Sequence, residues 1–160
     1  MIDFEINEKN FRKVLNIGII IVICYFLITI VSYSLPRIYL LDKNTILDEN
    51  HSVKCGIDTL YRGSFRLEIQ GWAYKDGEPI TRSNSCFILK NQETGRMYIL
   101  RAEMKEMPEL QFVNGIDELH SGIHSQSIVL GLKDGNYDLY ILYKNNGENL
   151  LVNTETVVEI

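Results

Sequence analysis

His120 and His124, with Asp117 and Glu118 just before them, are the densest gathering of metal-ligating side chains in this chain of 160 residues. On a helix, imidazoles four apart share one face and can hold zinc. Gly122 stands between them and strand-like residues follow, so a loop pair with no metal and no cofactor is expected. Ser121 and Ser125 lie beside these histidines without the strand-turn-helix setting that holds a nucleophile. Glu103, Glu106 and Glu109 read as the solvated side of a short helical turn before they read as a glycosidase pair. The chain contains no phosphate-binding glycine loop and no CxxC pair. No catalytic residue is expected, and the chain reads as a non-enzyme. Asn50-His51-Ser52 is a glycosylation sequon, a three-residue pattern common by chance.

Trp72 and Tyr74 carry the more useful chemistry. They alternate with Leu67, Ile69, Gly71 and Ala73, which places two large rings on the outward side of a strand, where sugars and partner proteins stack on aromatic surface. These two are the candidate ligand-binding residues. A bulge at Gly71 would shift the register and turn Trp72 into the core instead.

The elements that must position them begin with residues 17–35, an unbroken run without a charged side chain. As a helix it measures about 28 Å, close to the hydrocarbon thickness of a bilayer. Its many β-branched residues would favour strand in water, but lipid offers the backbone no partner outside a helix. Lys9, Arg12 and Lys13 precede the run, while Arg37 and Lys43 flank Asp42 beyond it. This asymmetry predicts a cytoplasmic N-terminus and an extracytoplasmic C-terminal part. A cleaved signal peptide, with Ser32 and Ser34 near the cleavage site, is the alternative, but the apolar run is longer than such a core requires. The expected division is a tail over 1–16, a transmembrane helix over 17–35, a stalk over 36–50 and one domain over 51–160. Leu40, Leu41, Ile46 and Leu47 in the stalk lie either on the membrane surface or on the domain.

From residue 51 the apolar period becomes two. Strands are expected over 53–57, 65–74, 85–90, 97–101, 123–130, 137–144 and 150–160, with a turn at Asp76-Gly77 and a tight hairpin at Asn145-Asn146-Gly147. Met104, Met107 and Leu110 recur every three residues, which predicts a helical turn stopped by Pro108. Residues 111–122 are the longest irregular stretch. About seven short strands point to an all-β, immunoglobulin-like sandwich preceded by one transmembrane helix. Tyr137, immediately after the turn at Lys133-Asp134-Gly135-Asn136, has the position of a tyrosine corner. Cys24 lies in the span. Cys55 and Cys86 either form one disulfide, joining the first and third expected strands, or remain buried free thiols.

The segments Gly71-Trp72-Ala73-Tyr74-Lys75-Asp76-Gly77 and Leu132-Lys133-Asp134-Gly135-Asn136-Tyr137-Asp138-Leu139 together resemble the extracytoplasmic β-sandwich domains of Gram-positive bacteria. Such domains occur on membrane-anchored chains or beside multipass proteins concerned with cell-surface polysaccharide. The resemblance covers roughly 51–160. Ser121-Gly122-Ile123 departs from the related pattern, which carries an aromatic third residue. The resemblance implies a place in the cell envelope and a partner that is a membrane protein or an envelope polysaccharide. The formal charge of −5 argues against a nucleic-acid surface. Two functions follow: an accessory or scaffold protein assisting a polysaccharide-handling membrane protein, or a stand-alone module that binds carbohydrate or protein at the cell surface.

Overall fold

A computed structural model describes residues 8–80, 83–107 and 121–160. Residues 1–34 and 35–160 form separate compact units. The first holds helix α1, Glu8–Ser34, whose stretch Asn10–Ser34 has a mean hydropathy of 2.8 and no burial. A helix apolar on all sides and uncovered by protein is suited to lipid, and the protein is a single-pass membrane-anchored chain with a larger β domain. The helix begins earlier than the apolar run, so Arg12 and Lys13 lie on its first turns. Thr29 Oγ1 donates to the carbonyl of Tyr25 at 2.8 Å, so the hydroxyl is satisfied within its own helix.

The second unit has ten strands among the described residues. In chain order they are β1 Arg37–Tyr39, β2 Ile46–Leu47, β3 Val53–Arg62, β4 Arg66–Lys75, β5 Cys86–Asn91, β6 Met97–Leu100, β7 Ala102–Lys105, β8 Gly122–Ile128, β9 Asn136–Asn145 and β10 Glu148–Glu159. They form a larger sheet ordered β1-β6-β5-β9-β10-β2 and a smaller one ordered β3-β4-β8-β7. Every neighbouring pair is antiparallel except β10 with β2.

Alternation decides what each sheet buries. On β4, Leu67, Ile69 and Ala73 enter a core shared with Phe87 and Leu89 of β5 and with Leu139 and Ile141 of β9, so both sheets contribute to one cluster. The intervening residues of β5 and β9 are apolar as well. Cys86, Ile88, Tyr140 and Leu142 make a second cluster with Leu151, against which Tyr39 packs. β5 and β9 are therefore buried on both faces, which is why residues 137–143 read as a nearly continuous apolar run.

Three expectations change. Residues 36–50, expected as a stalk, contribute β1 and β2 to opposite edges of the larger sheet. Residues 102–105, expected as a helical turn, form β7, where Ala102 to Lys105 pair with Ser125 to Gly122. Pairing with β8 outweighs the weak three-residue period, and Pro108 and Leu110 lie outside the described residues. Cys55 and Cys86 are free thiols. Cys55 packs toward the core shared by the sheets, whereas Cys86 belongs to the cluster on the far face of the larger sheet. Burial pushes the Cys86 thiol up to about 11.

The turns follow their chemistry. Gly77 has φ +77° after Asp76, and Asn146 and Gly147 have φ +49° and +90°, the left-handed pair that a two-residue hairpin needs. Tyr137 donates its hydroxyl to the carbonyl of Lys133 at 2.7 Å, the geometry of a tyrosine corner.

Asp48 organises the entry to β3. Its carboxylate accepts from the Ser52 amide at 3.0 Å, the Ser52 hydroxyl at 2.8 Å and the Val53 amide at 2.9 Å. Partial burial acts to raise its pKa, but the bonds from Val53 and Ser52 and the charge of His51 hold it below the ordinary value. A depressed carboxyl contributes stability that is complete above the unfolded value of about 3.9 and is lost as pH falls through the lower folded value. Asp48→Asn should therefore destabilise the domain by about 1–2 kcal/mol at neutral pH, with a gap to wild type that closes in acid. Urea melts of both proteins at neutral and acid pH check this, and a gap that does not change with pH would contradict it.

Candidate functional site

The outward face of the smaller sheet is built by β4 and its two neighbours. Arg66, Glu68, Gln70, Trp72 and Tyr74 alternate with the core residues of β4, so strand geometry alone sends them outward. Pairing then sets Gln126 beside Glu68, His124 beside Gln70, and Gly122 beside Trp72. On the other flank Gly56 stands beside Trp72 and Lys54 beside Tyr74.

Trp72 thus has a glycine on each side. A Cβ on Gly56 would come within 2.8 Å of the Trp72 indole, which means the ring lies directly over that glycine. The register shift falls in β3, between Ile57 and Thr59. It does not fall in β4, and Trp72 stays outward. Gly71 instead permits close approach, because a Cβ there would overlap the carbonyl oxygen of Gly56.

The indole stacks on Tyr74 with ring centroids 5.5 Å apart and planes 24° from parallel. Lys54 Nζ lies 5.8 Å from the centre of the Tyr74 ring and pairs with Asp76 at 2.7 Å. Of the two ring candidates, Trp72 is half-buried and Tyr74 is only 5% exposed. Trp72 offers the contact surface, and Tyr74 supports it from the side.

Next to the rings is a polar set centred on Glu68. Its carboxylate lies 3.1 Å from His124 Nε2 and 3.4 Å from Gln126 Nε2, and it accepts from Arg66 Nη2 at 2.9 Å. The hydrogen bond from His124 is the main influence holding Glu68 below the usual carboxylate value. Partial desolvation opposes it, while Arg66 and Gln126 assist. A fixed aromatic ring beside a carboxylate and amides suits hydroxyl-rich ligands, which need flat apolar area together with directional donors and acceptors.

The other candidates of the sequence resolve differently. His124 sits on β8 rather than on a helix and faces Glu68, while His120, Asp117 and Glu118 lie outside the described residues. Among the described residues, no three His, Cys, Asp or Glu side chains are placed to hold a metal. Ser125 donates its hydroxyl to the carbonyl of Arg101 at 2.7 Å, and Ser121 is fully buried. Glu103 belongs to β7, Glu106 follows it, and Glu109 is outside the described residues. Glu68, Gln126 and Gly56 were not singled out from the sequence, because their relation to Trp72 depends on cross-strand register.

Gly56→Ala should displace the indole while leaving the core untouched, since the close atoms all belong to the Trp72 side chain. Trp72 is the chain's single tryptophan, so its emission reports directly. A red shift with a nearly unchanged melt is expected, and an unchanged spectrum would show that the ring does not rest on Gly56.

No family model, curated protein or solved structure matches the chain.

Proposed function

We propose that this protein is a non-enzymatic accessory or scaffold protein of the cell envelope that assists a polysaccharide-handling membrane protein. Its N-terminus is cytoplasmic and its β domain, an immunoglobulin-like sandwich, is extracytoplasmic. The observation that carries the reading is the pairing of a span apolar on every side with a β domain whose outward sheet face holds Trp72 beside the Glu68, His124 and Gln126 set. The basic residues before the span support the orientation. The Tyr137 corner and the core shared by two sheets support the immunoglobulin-like assignment.

A partner recognised through the span meets close-packing surface at Gly18, where an added Cβ would touch nothing within 4 Å. Small residues of this kind let two helices approach closely in lipid. The second reading, a stand-alone carbohydrate-binding module, is favoured by the Trp72 face alone.

The deciding experiment replaces residues 17–34 with a leucine-rich span of equal length, keeping Lys9, Arg12 and Lys13, and compares what co-purifies in mild detergent. Loss of a specific membrane partner supports the accessory reading. Unchanged co-purification and function reduce the helix to a tether and place recognition on the outer domain.

A further inference from the structure

We infer that residues 38–47 form a lipid-contacting patch that seats the domain in the headgroup region of the bilayer. Ile38, Leu40, Leu41, Ile46 and Leu47 are between 50% and 82% exposed. Five of the ten large exposed hydrophobics described in residues 35–160 thus fall within ten consecutive positions. Apolar surface gathered this way on a domain with a well-covered core marks an interaction surface.

The segment is also held together. The Tyr39 and Thr45 hydroxyls are 3.2 Å apart, and the Thr45 amide donates to the carbonyl of Asp42 at 2.9 Å, so the chain doubles back between β1 and β2. Leu40 and Leu41 stay close to Ile46 instead of trailing along an extended linker. Tyr39 is anchored in the cluster on the far face of the larger sheet, which leaves the leucines beside it pointing to solvent.

The occupant follows from continuity with the anchor. The helix ends at Ser34, and the six residues from there to Leu40 span at most roughly 20 Å even when fully extended. The tether therefore keeps the patch near the boundary between acyl chains and headgroups, where apolar side chains insert about 5–10 Å and basic ones meet anionic lipid. Arg37 and Lys43 flank the leucines and supply that charge. A bilayer is thus the surface always present beside these residues, whatever other protein is bound.

This inference rests on the membrane-anchor reading, and the test separates the two. The full chain carrying Leu40→Trp, and separately Leu41→Trp, is reconstituted into phosphatidylcholine–phosphatidylglycerol vesicles whose lipids are brominated in the upper acyl chain. The wild-type chain, with Trp72 alone, supplies the baseline. Both positions are exposed, so neither substitution disturbs packing. The added tryptophan should emit to the blue and be quenched by about twofold relative to unbrominated vesicles, as insertion at the acyl boundary requires. Flotation of the protein with the vesicles but water-like emission, insensitive to bromine and quenched by acrylamide, would overturn the patch while leaving the anchor intact. Blue emission that ignores bromine and appears only at high protein density would overturn it in favour of contact between two copies. Failure to float would remove the anchor reading itself.

Discussion

A soluble fragment beginning at residue 36 is expected to give a β-type circular dichroism spectrum and a cooperative melt, whereas one beginning at residue 51 should be less stable by roughly 3–5 kcal/mol. Residues 37–47 pair with Met97–Ile99 at one edge of the larger sheet and with Leu150–Leu151 at the other. Their removal strips Tyr39 from the cluster of Ile88, Tyr140, Leu142 and Leu151. Uncovering about 100 Å² on each side of that contact, at about 25 cal/mol per Å², accounts for roughly 5 kcal/mol before the freed backbone entropy is returned. The shorter fragment also lacks Asp48 and its three bonds to Ser52 and Val53. Denaturant melts of the two fragments decide the matter, and equal midpoints would show that β1 and β2 contribute nothing to the fold.

Gly71→Ala should be the most damaging single-methyl substitution in the smaller sheet. The added carbon would overlap the Gly56 carbonyl oxygen and come within 3.1 Å of Ile57 Cδ1. The first of these atoms is backbone and cannot turn aside, so β3 and β4 must separate. Overpacking of this kind costs typically 1–3 kcal/mol, and the upper end or beyond applies where no side chain can yield. Gly77→Ala is the comparison. Nothing lies within 4 Å of its position and its φ is +77°, so only left-handed backbone strain of about 1–2 kcal/mol remains. Chemical denaturation of both variants should rank Gly71→Ala as the more destabilised, and the reverse order would mean that the two strands adjust freely.

The fold was legible where a local rule dominated. Two-residue periodicity placed β4, β8, β9 and β10 within a few positions, and Asn146-Gly147 and Asp76-Gly77 announced their turns through their need for positive φ. The Tyr137 hydroxyl found the carbonyl four residues back that its position after the turn implied. What was missed depends on pairing at long range. Ile46 and Leu47 have no periodicity of their own, and they become a strand only because β10 leaves an open edge more than a hundred residues later. Residues 102–105 carry a pattern as compatible with a helix as with a strand, and only the edge of β8 decides between them. The outward direction of Trp72 and Tyr74 was readable from alternation. The Glu68 network was not, because His124 and Gln126 approach it from another strand.

The position of β9 and β10 bears on the timing of assembly. These last two strands are interior members of the larger sheet, with β5 on one side and β2 on the other. The chain is made from its N-terminus, so β1, β2, β5 and β6 emerge long before the strands that separate them exist. None of the early strands can complete the sheet, and Phe87, Ile88 and Leu89 must wait without their partners Leu139, Tyr140 and Ile141. Non-local pairing of this kind is slow and leaves apolar surface open in the interval. For a domain exported behind an N-terminal anchor, maturation therefore falls after release of the C-terminus. Any factor that shields the early half during secretion would act in that window.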